Sequence, residues 1–205
     1  MSSLEAASRP VMLALMDSTR AATPVAITAD DAATLARWTT KTAMTSELAS
    51  LRDEKNEEPW ISADLREALM TASSPLANSR VWLATYAPGE VCKLMQSVVT
   101  YDPIQGGGQR QAFASCLMLN GVAFLTYIFR PGDRFNPLPP LQRFHGLLLW
   151  PTLTPVEYPP LPCKESELFN AITNWSPWLS IYNKQQLAPP TNTSTGEMKR
   201  QGHST

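Results

Sequence analysis

Asn120-Gly121 divides two apolar runs, Phe113-Ala-Ser-Cys-Leu-Met-Leu119 and Val122-Ala-Phe-Leu-Thr-Tyr-Ile-Phe129. An Asn-Gly pair between strand-like runs is the strongest short hairpin signal, because a type I′ turn needs positive φ at both central residues. Both runs are apolar on both faces. They belong in the middle of a sheet, with helices covering one side.

The rest of the chain arranges itself around that hairpin. Arg80-Val-Trp-Leu-Ala-Thr-Tyr86 is aromatic and β-branched, as a strand should be. Glu90 to Tyr101 and Phe144 to Trp150 read as further strands. Gly106-Gly-Gly108 reads as a loop between strands, because a phosphate-cradling loop needs a following helix N-terminus and usually a lysine. The prolines between 131 and 140 mark a loop, and those between 151 and 162 predict an extended run over the surface.

Residues before Pro75 are helical in pattern. Leu4, Val11, Leu13, Leu15 and Met16 supply apolar surface to a first helix. Pro10 cannot donate a backbone hydrogen bond and clashes with the preceding turn, so this helix is expected to start near Arg9. Thr23 to Ile27 reads as a connection. Thr28, followed by Asp30 and Asp31, caps a second helix over 29–51, with Leu35, Trp38, Thr39, Thr42, Ala43 and Leu48 at helical spacing. The run 52–58 is a charged, solvated connector. Ser62 caps a third helix to about Ala72, with Leu65, Ala68 and Leu69 inward. A last helix over 165–175 turns Leu168, Phe169 and Ile172 inward. From 183 onward almost nothing is apolar, so the ordering entropy of that tail is not offset and disorder is expected. The fold class expected is therefore α+β: an N-terminal helical layer packed on a mostly antiparallel sheet, with a C-terminal helix, in one domain over 1–182 and a disordered tail over 183–205.

Composition narrows the functions. The chain has 205 residues and a net charge of −1, so no global field draws it to nucleic acid or an acidic membrane. Cys92, Cys116 and Cys163 are far apart and odd in number, which argues for reduced thiols and a cytoplasmic protein rather than a disulfide framework or zinc knuckle. No apolar run approaches the roughly 20 residues of a membrane span, and no signal peptide is evident. No membrane association is expected.

Catalytic patterns are missing. There is no G-x-S-x-G, no S-x-x-K with its supporting elements, no Walker A and no dinucleotide-binding glycine motif. Glu90, Lys93 and Asp102 lack the tight acid-x-Lys spacing of a metal-dependent nuclease. His203 falls in the tail, and His145 has no partners at metal spacing. No catalytic residue, metal site or cofactor is expected. What stands out is a set of cations at strand ends and in adjacent loops: Arg80, Arg110, Arg130, Arg134 and Arg143. With Trp82, Tyr86, Tyr127 and Trp150 they have the chemistry to pair with phosphates and stack on bases. The competing and better supported reading pairs the arginines with Asp102, Asp133 and Glu157 and puts the rings in the core. Arg80, Tyr86, Arg110, Arg130, Arg134, Arg143 and His145 are the candidate binding residues.

The run Leu35-Ala-Arg-Trp-Thr-Thr-Lys-Thr-Ala-Met44 resembles a recurring helix in bacterial HNH-endonuclease-like proteins, where it follows a zinc-ribbon and HNH-like module. Ser3-Leu-Glu-Ala-Ala-Ser-Arg-Pro-Val-Met12, Pro75-Leu-Ala-Asn-Ser-Arg-Val-Trp-Leu-Ala-Thr-Tyr86, Trp150-Pro151 and Val156-Glu-Tyr-Pro-Pro160 are similar to neighbouring segments of that group. The resemblance covers most of 2–175 and implies a fold more than an activity. The histidine base, the Asn or second histidine and the metal ligands of HNH chemistry have no counterpart here. The resemblance thus implies a non-catalytic accessory or binding module of an HNH-nuclease-associated type, in a phage, plasmid or defence context, with a protein or a nucleic acid as partner. Two alternatives stay open: a fragment of an HNH-type nuclease whose catalytic module lies upstream, and a protein inhibitor of a host factor.

Overall fold

The computed structural model describes residues 3–51, 59–86, 92–101, 110–130, 146–151, 155–158 and 162–173. The expected tail lies outside them, as do Gly106–Gly108 and the 131–145 loop. The fold is α+β. In chain order the elements are α1 (Ser3–Ala21), β1 (Val25–Ile27), α2 (Ala29–Leu51), α3 (Ala63–Thr71), β2 (Ser79–Tyr86), β3 (Cys92–Tyr101), β4 (Arg110–Leu119), β5 (Val122–Phe129), β6 (Leu147–Trp150), β7 (Val156–Tyr158), β8 (Pro162–Cys163) and α4 (Glu165–Thr173).

The β4–β5 hairpin is central, in a sheet of strand order β3-β4-β5-β2-β6. Asn120 and Gly121 both have positive φ, 47° and 88°. A side chain at Gly121 would meet Thr19 of α1 at 2.9 Å, so close packing adds to the conformational demand. Pairing is antiparallel except where β8 joins β2 in parallel, with Thr85 opposite Pro162 and Tyr86 opposite Cys163. A second, small sheet pairs β1 with β7.

Helices cover both faces of the main sheet, not one. On one face α1 and α2 bury Met12, Leu15, Leu35 and Ala36 against Val81, Leu83, Val122 and Phe124. Further along, α3 buries Leu65 and Leu69 with Phe113 and Ile128. The opposite face carries Trp82, Tyr127 and Phe129 and is closed by Leu168, Ala171 and Ile172 of α4. Two strands apolar on both sides leave no face that water could cover cheaply, which is why the short C-terminal helix is needed.

Several local expectations are corrected. Helix α1 begins at Ser3 and runs through Pro10. An interior proline costs about 3 kcal/mol relative to alanine. Tertiary contacts hold the early turns in place: Ser8 is buried, and Glu5 pairs with Lys41 of α2 at 3.1 Å. Val25–Ile27 is a strand rather than a bare connection, because β7 supplies its ladder. The proline-rich 151–162 region does not merely run over the surface. Tyr158 is fully buried, and its hydroxyl meets Thr19 Oγ1 at 2.5 Å. Ala68 and Phe169 face outward, the latter half-exposed.

The caps form as the sequence implies. Thr28 Oγ1 accepts from the Asp31 amide at 3.1 Å while Asp31 accepts from the Thr28 amide at 3.2 Å, a reciprocal capping box. Ser62 accepts from the Leu65 amide. Glu47, on α2, is buried and had no signal in the sequence. It accepts from the Trp60 amide at 2.7 Å and from Arg66 Nη2 at 2.8 Å, tying the entry to α3 onto α2.

Candidate nucleic-acid interface

The strand registers decide which candidate residues meet. Ser79 lies opposite Ile128, Ala112 opposite Phe129, and Val81 opposite Trp150. The start of β2, the start of β4, and the ends of β5 and β6 therefore share one end of the sheet. Arg80 on β2, Arg110 on β4 and Arg130 just past β5 sit at that end of three adjacent strands, which lie about 4.8 Å apart. Strand alternation splits them between the faces. Arg80 shares its face with Trp82, and Arg110 with Ala112, both on the α4 side. Arg130 follows on the helical-layer side, with its guanidinium 5.8 Å from the centre of the Trp60 ring. Tyr86 is at the far end of β2 and buried, so it takes no part. Trp82 and Tyr127 are fully buried core rings, edge to face at a centroid distance of 5.3 Å. Arg134, Arg143 and His145 lie outside the described residues.

Each element aims its cation for a local reason. Arg80 is half-buried, and its Nη1 donates to the carbonyls of Ala77 at 2.9 Å and Ser79 at 2.6 Å. Those bonds fold the guanidinium back along the turn that precedes β2. Its buried Nε has no hydrogen-bond partner, and burial lowers the pKa of the group from its ordinary value. Among the described residues no carboxylate lies within ion-pair distance of Arg80 or Arg130. Arg130 rests instead on Trp60, which is itself stacked on Phe113 at 6.2 Å with an interplanar angle of 30°. The backbone of Trp60 is held by Glu47. The chain Glu47–Trp60–Arg130 thus runs from a buried anchor to an exposed cation.

Trp60 is the residue that sequence reasoning missed. A single Trp after a charged connector has no periodic context that would assign it. Trp150 stands at the same end, half-buried, donating its indole N–H to Leu76 O at 3.0 Å. The end therefore offers guanidinium groups for anion pairing and an Arg–Trp stack for flat rings, a combination suited to a nucleic-acid strand.

A second concave feature lies between α1 and α2. Glu5, Arg9, Met12, Leu13, Trp38 and Leu119 line a groove of about 380 Å³. Trp38 faces the sheet as its spacing implies, edge-on to Phe124 at 6.0 Å, yet it stays partly exposed at the groove wall. Among the described residues no three His, Cys, Asp or Glu side chains gather to hold a metal ion, and no helix is long and apolar enough to cross a membrane. Cys116 and Cys163 are buried thiols, pushed up to about 12 and about 11 chiefly by desolvation.

The fold and this end together define a class only: an α+β chain with its sheet between helices and a cationic, aromatic sheet end. Comparison with family models, with curated proteins and with solved structures finds no match.

Proposed function

We propose that this chain is a non-catalytic binding module whose arginine-bearing sheet end takes a single-stranded nucleic acid. The observation that carries the reading is Arg80 and Arg130, guanidinium groups at one end of two adjacent strands, one toward each face of the sheet, with no carboxylate partner among the described residues, the latter stacked on Trp60. A guanidinium pairs bidentately with a phosphate and also offers a flat face to a base. With a net charge of −1 there is no long-range steering, so binding is local and moderate. The segments similar to HNH-endonuclease-like proteins, 35–44 and 75–86, support a role beside such a nuclease, holding a strand that another module cuts.

The test is fluorescence anisotropy of a labelled single-stranded oligonucleotide of about 15 nucleotides, titrated with protein at low and at physiological salt. Each lost phosphate contact reduces the salt slope by about one. Arg130→Gln, at the exposed cation, is expected to weaken binding several-fold with little change in melting temperature, and Arg80→Gln/Arg130→Gln at least tenfold, with only the modest loss of stability that the two Arg80–carbonyl bonds account for. Absence of binding by the wild-type chain at low salt overturns the reading, as does binding that the double variant leaves intact.

A further inference from the structure

The sheet, among the described residues, has one long open edge. Among the described residues β3 pairs only with β4, along Cys92–Tyr101, and nothing pairs with its outer side. The other edge is β6, only four residues long. Long edges are usually blunted by charge, proline or a bulge, because their unpaired amides and carbonyls template another strand. β3 has no proline, and its register with β4 shows no bulge. Its one charged side chain, Lys93, is paired with Glu165 of α4.

The side chains on this edge have a particular symmetry. Lys93, Met95 and Val99 point to the α4 side. Leu94, Gln96 and Val98 point to the helical-layer side, where Gln96 Nε2 reaches Ala43 O at 3.1 Å and also the Ser46 hydroxyl. The α2 helix is thus anchored over Gln96 and leaves its two flanking apolar neighbours uncovered: Leu94 is 38% exposed and Val98 44%. They stand two residues to either side of Gln96.

From this we infer that β3 is a self-association edge, and that a second copy of this chain pairs with it antiparallel about a two-fold axis at Gln96. That register sets Leu94 of each copy against Val98 of the other, Lys93 against Val99, Met95 against Ser97, and Cys92 against Thr100. Both exposed apolar side chains are covered, and no like charges face each other. The neighbouring two-fold registers, centred on Met95 or Ser97, put Leu94 against Gln96 or Thr100 and lose the match. The two sheets become one continuous sheet with each face still carrying its own helices. The paired strip is about 30 Å long. With its flanking side chains it covers roughly 1,000 Å² in total, at the lower limit for a specific interface. The dimer is accordingly concentration-dependent. It is independent of the nucleic-acid reading, because β3 and the arginine pair use different strands.

Sedimentation velocity of the full chain over a wide concentration series, under reducing conditions to silence Cys92, tests the inference. A monomer–dimer equilibrium is expected. Val98→Lys and Leu94→Glu, each changing a part-exposed side chain, should raise the concentration at half-dimerisation at least tenfold with unchanged melting temperature. The double variant Leu94→Glu/Val98→Lys puts a carboxylate opposite an ammonium twice in this register, and should recover most of the association. A wild-type chain that stays monomeric throughout overturns the inference. So does a dimer indifferent to both single variants, or a double variant no better than either single one.

Discussion

The two faces of the sheet are closed by very different means. On the helical-layer side, aliphatic residues such as Val81, Leu83 and Val122 meet α1, α2 and α3. On the α4 side, among the described residues, one nine-residue helix supplies Leu168, Ala171 and Ile172. The sheet makes up the difference with rings: Tyr127 stands opposite Ala114, and Phe129 opposite Ala112, each large side chain beside a small one on the next strand. A face with three helices can close around a deletion. A face with one short helix depends on its own aromatic volume, because α4 has few contacts with which to follow a shrinking core.

The strongest challenge to that contrast is to delete one large residue from each face. Trp82→Ala is expected to cost ~3–5 kcal/mol, and Leu83→Ala, its neighbour on the other face, about 2–3 kcal/mol. Urea unfolding measures both, and equal losses would remove the distinction. Next in size is the ion pair at Glu47, which belongs to the helical-layer side. Breaking a buried pair leaves an uncompensated charge. Glu47→Ala should lose about 2–4 kcal/mol and loosen α3, seen as faster amide exchange at Leu65 and Leu69 with little change in α1.

Trp38→Ala should cost about 2 kcal/mol, roughly half of a full aromatic deletion, because the ring is only part-buried. A loss as large as that at Trp82 would mean the α1–α2 groove closes in solution. Tyr127→Phe removes the bond from the hydroxyl to Ala171 O, 2.7 Å long, and should cost about 1 kcal/mol, with the amides of α4 exchanging faster than those of α2.

A further test separates the faces by pH. Both raised thiols, Cys116 and Cys163, pack on the α4 side. Unfolded thiols ionise near pH 8.5. With folded values above that, their contribution is fully present below about pH 8.5 and is lost as pH rises through about 11 for Cys163. Tyr158, buried on the other side, is pushed up to about 12 and begins to act only above the ordinary tyrosine range near pH 10. The melting temperature should therefore fall between pH 8.5 and 10, and Cys116→Ala/Cys163→Ala should flatten that decline. An unchanged slope in the double variant would assign the alkaline loss elsewhere.

The elements were largely legible because their signals are local. Asn120-Gly121 specifies its own turn, and Thr28 with Asp31 specifies its own cap. What went unread depended on distant partners. β1 exists because β7 lies beside it, and Pro10 sits inside an α1 whose early turns are held by the Glu5–Lys41 pair to α2 and by the burial of Ser8. The site was half legible. Arginines at strand ends are visible in the sequence, but only the registers of β2, β4 and β5 bring Arg80, Arg110 and Arg130 to one end of the sheet and send Tyr86 to the other. Trp60 gave no advance sign, since its place comes from a carboxylate thirteen residues earlier.

The hydrophobic period and turn chemistry of this chain were enough to settle the longer strands, the second and third helices and the α+β class, because each is decided by a few neighbouring residues. The order of the strands, the face on which each helix lies, the anchoring of Trp60 by Glu47 and the uncovered edge of β3 were left to the tertiary structure. Those features follow from which distant side chains exclude water from one another, and nothing in a local window carries that choice.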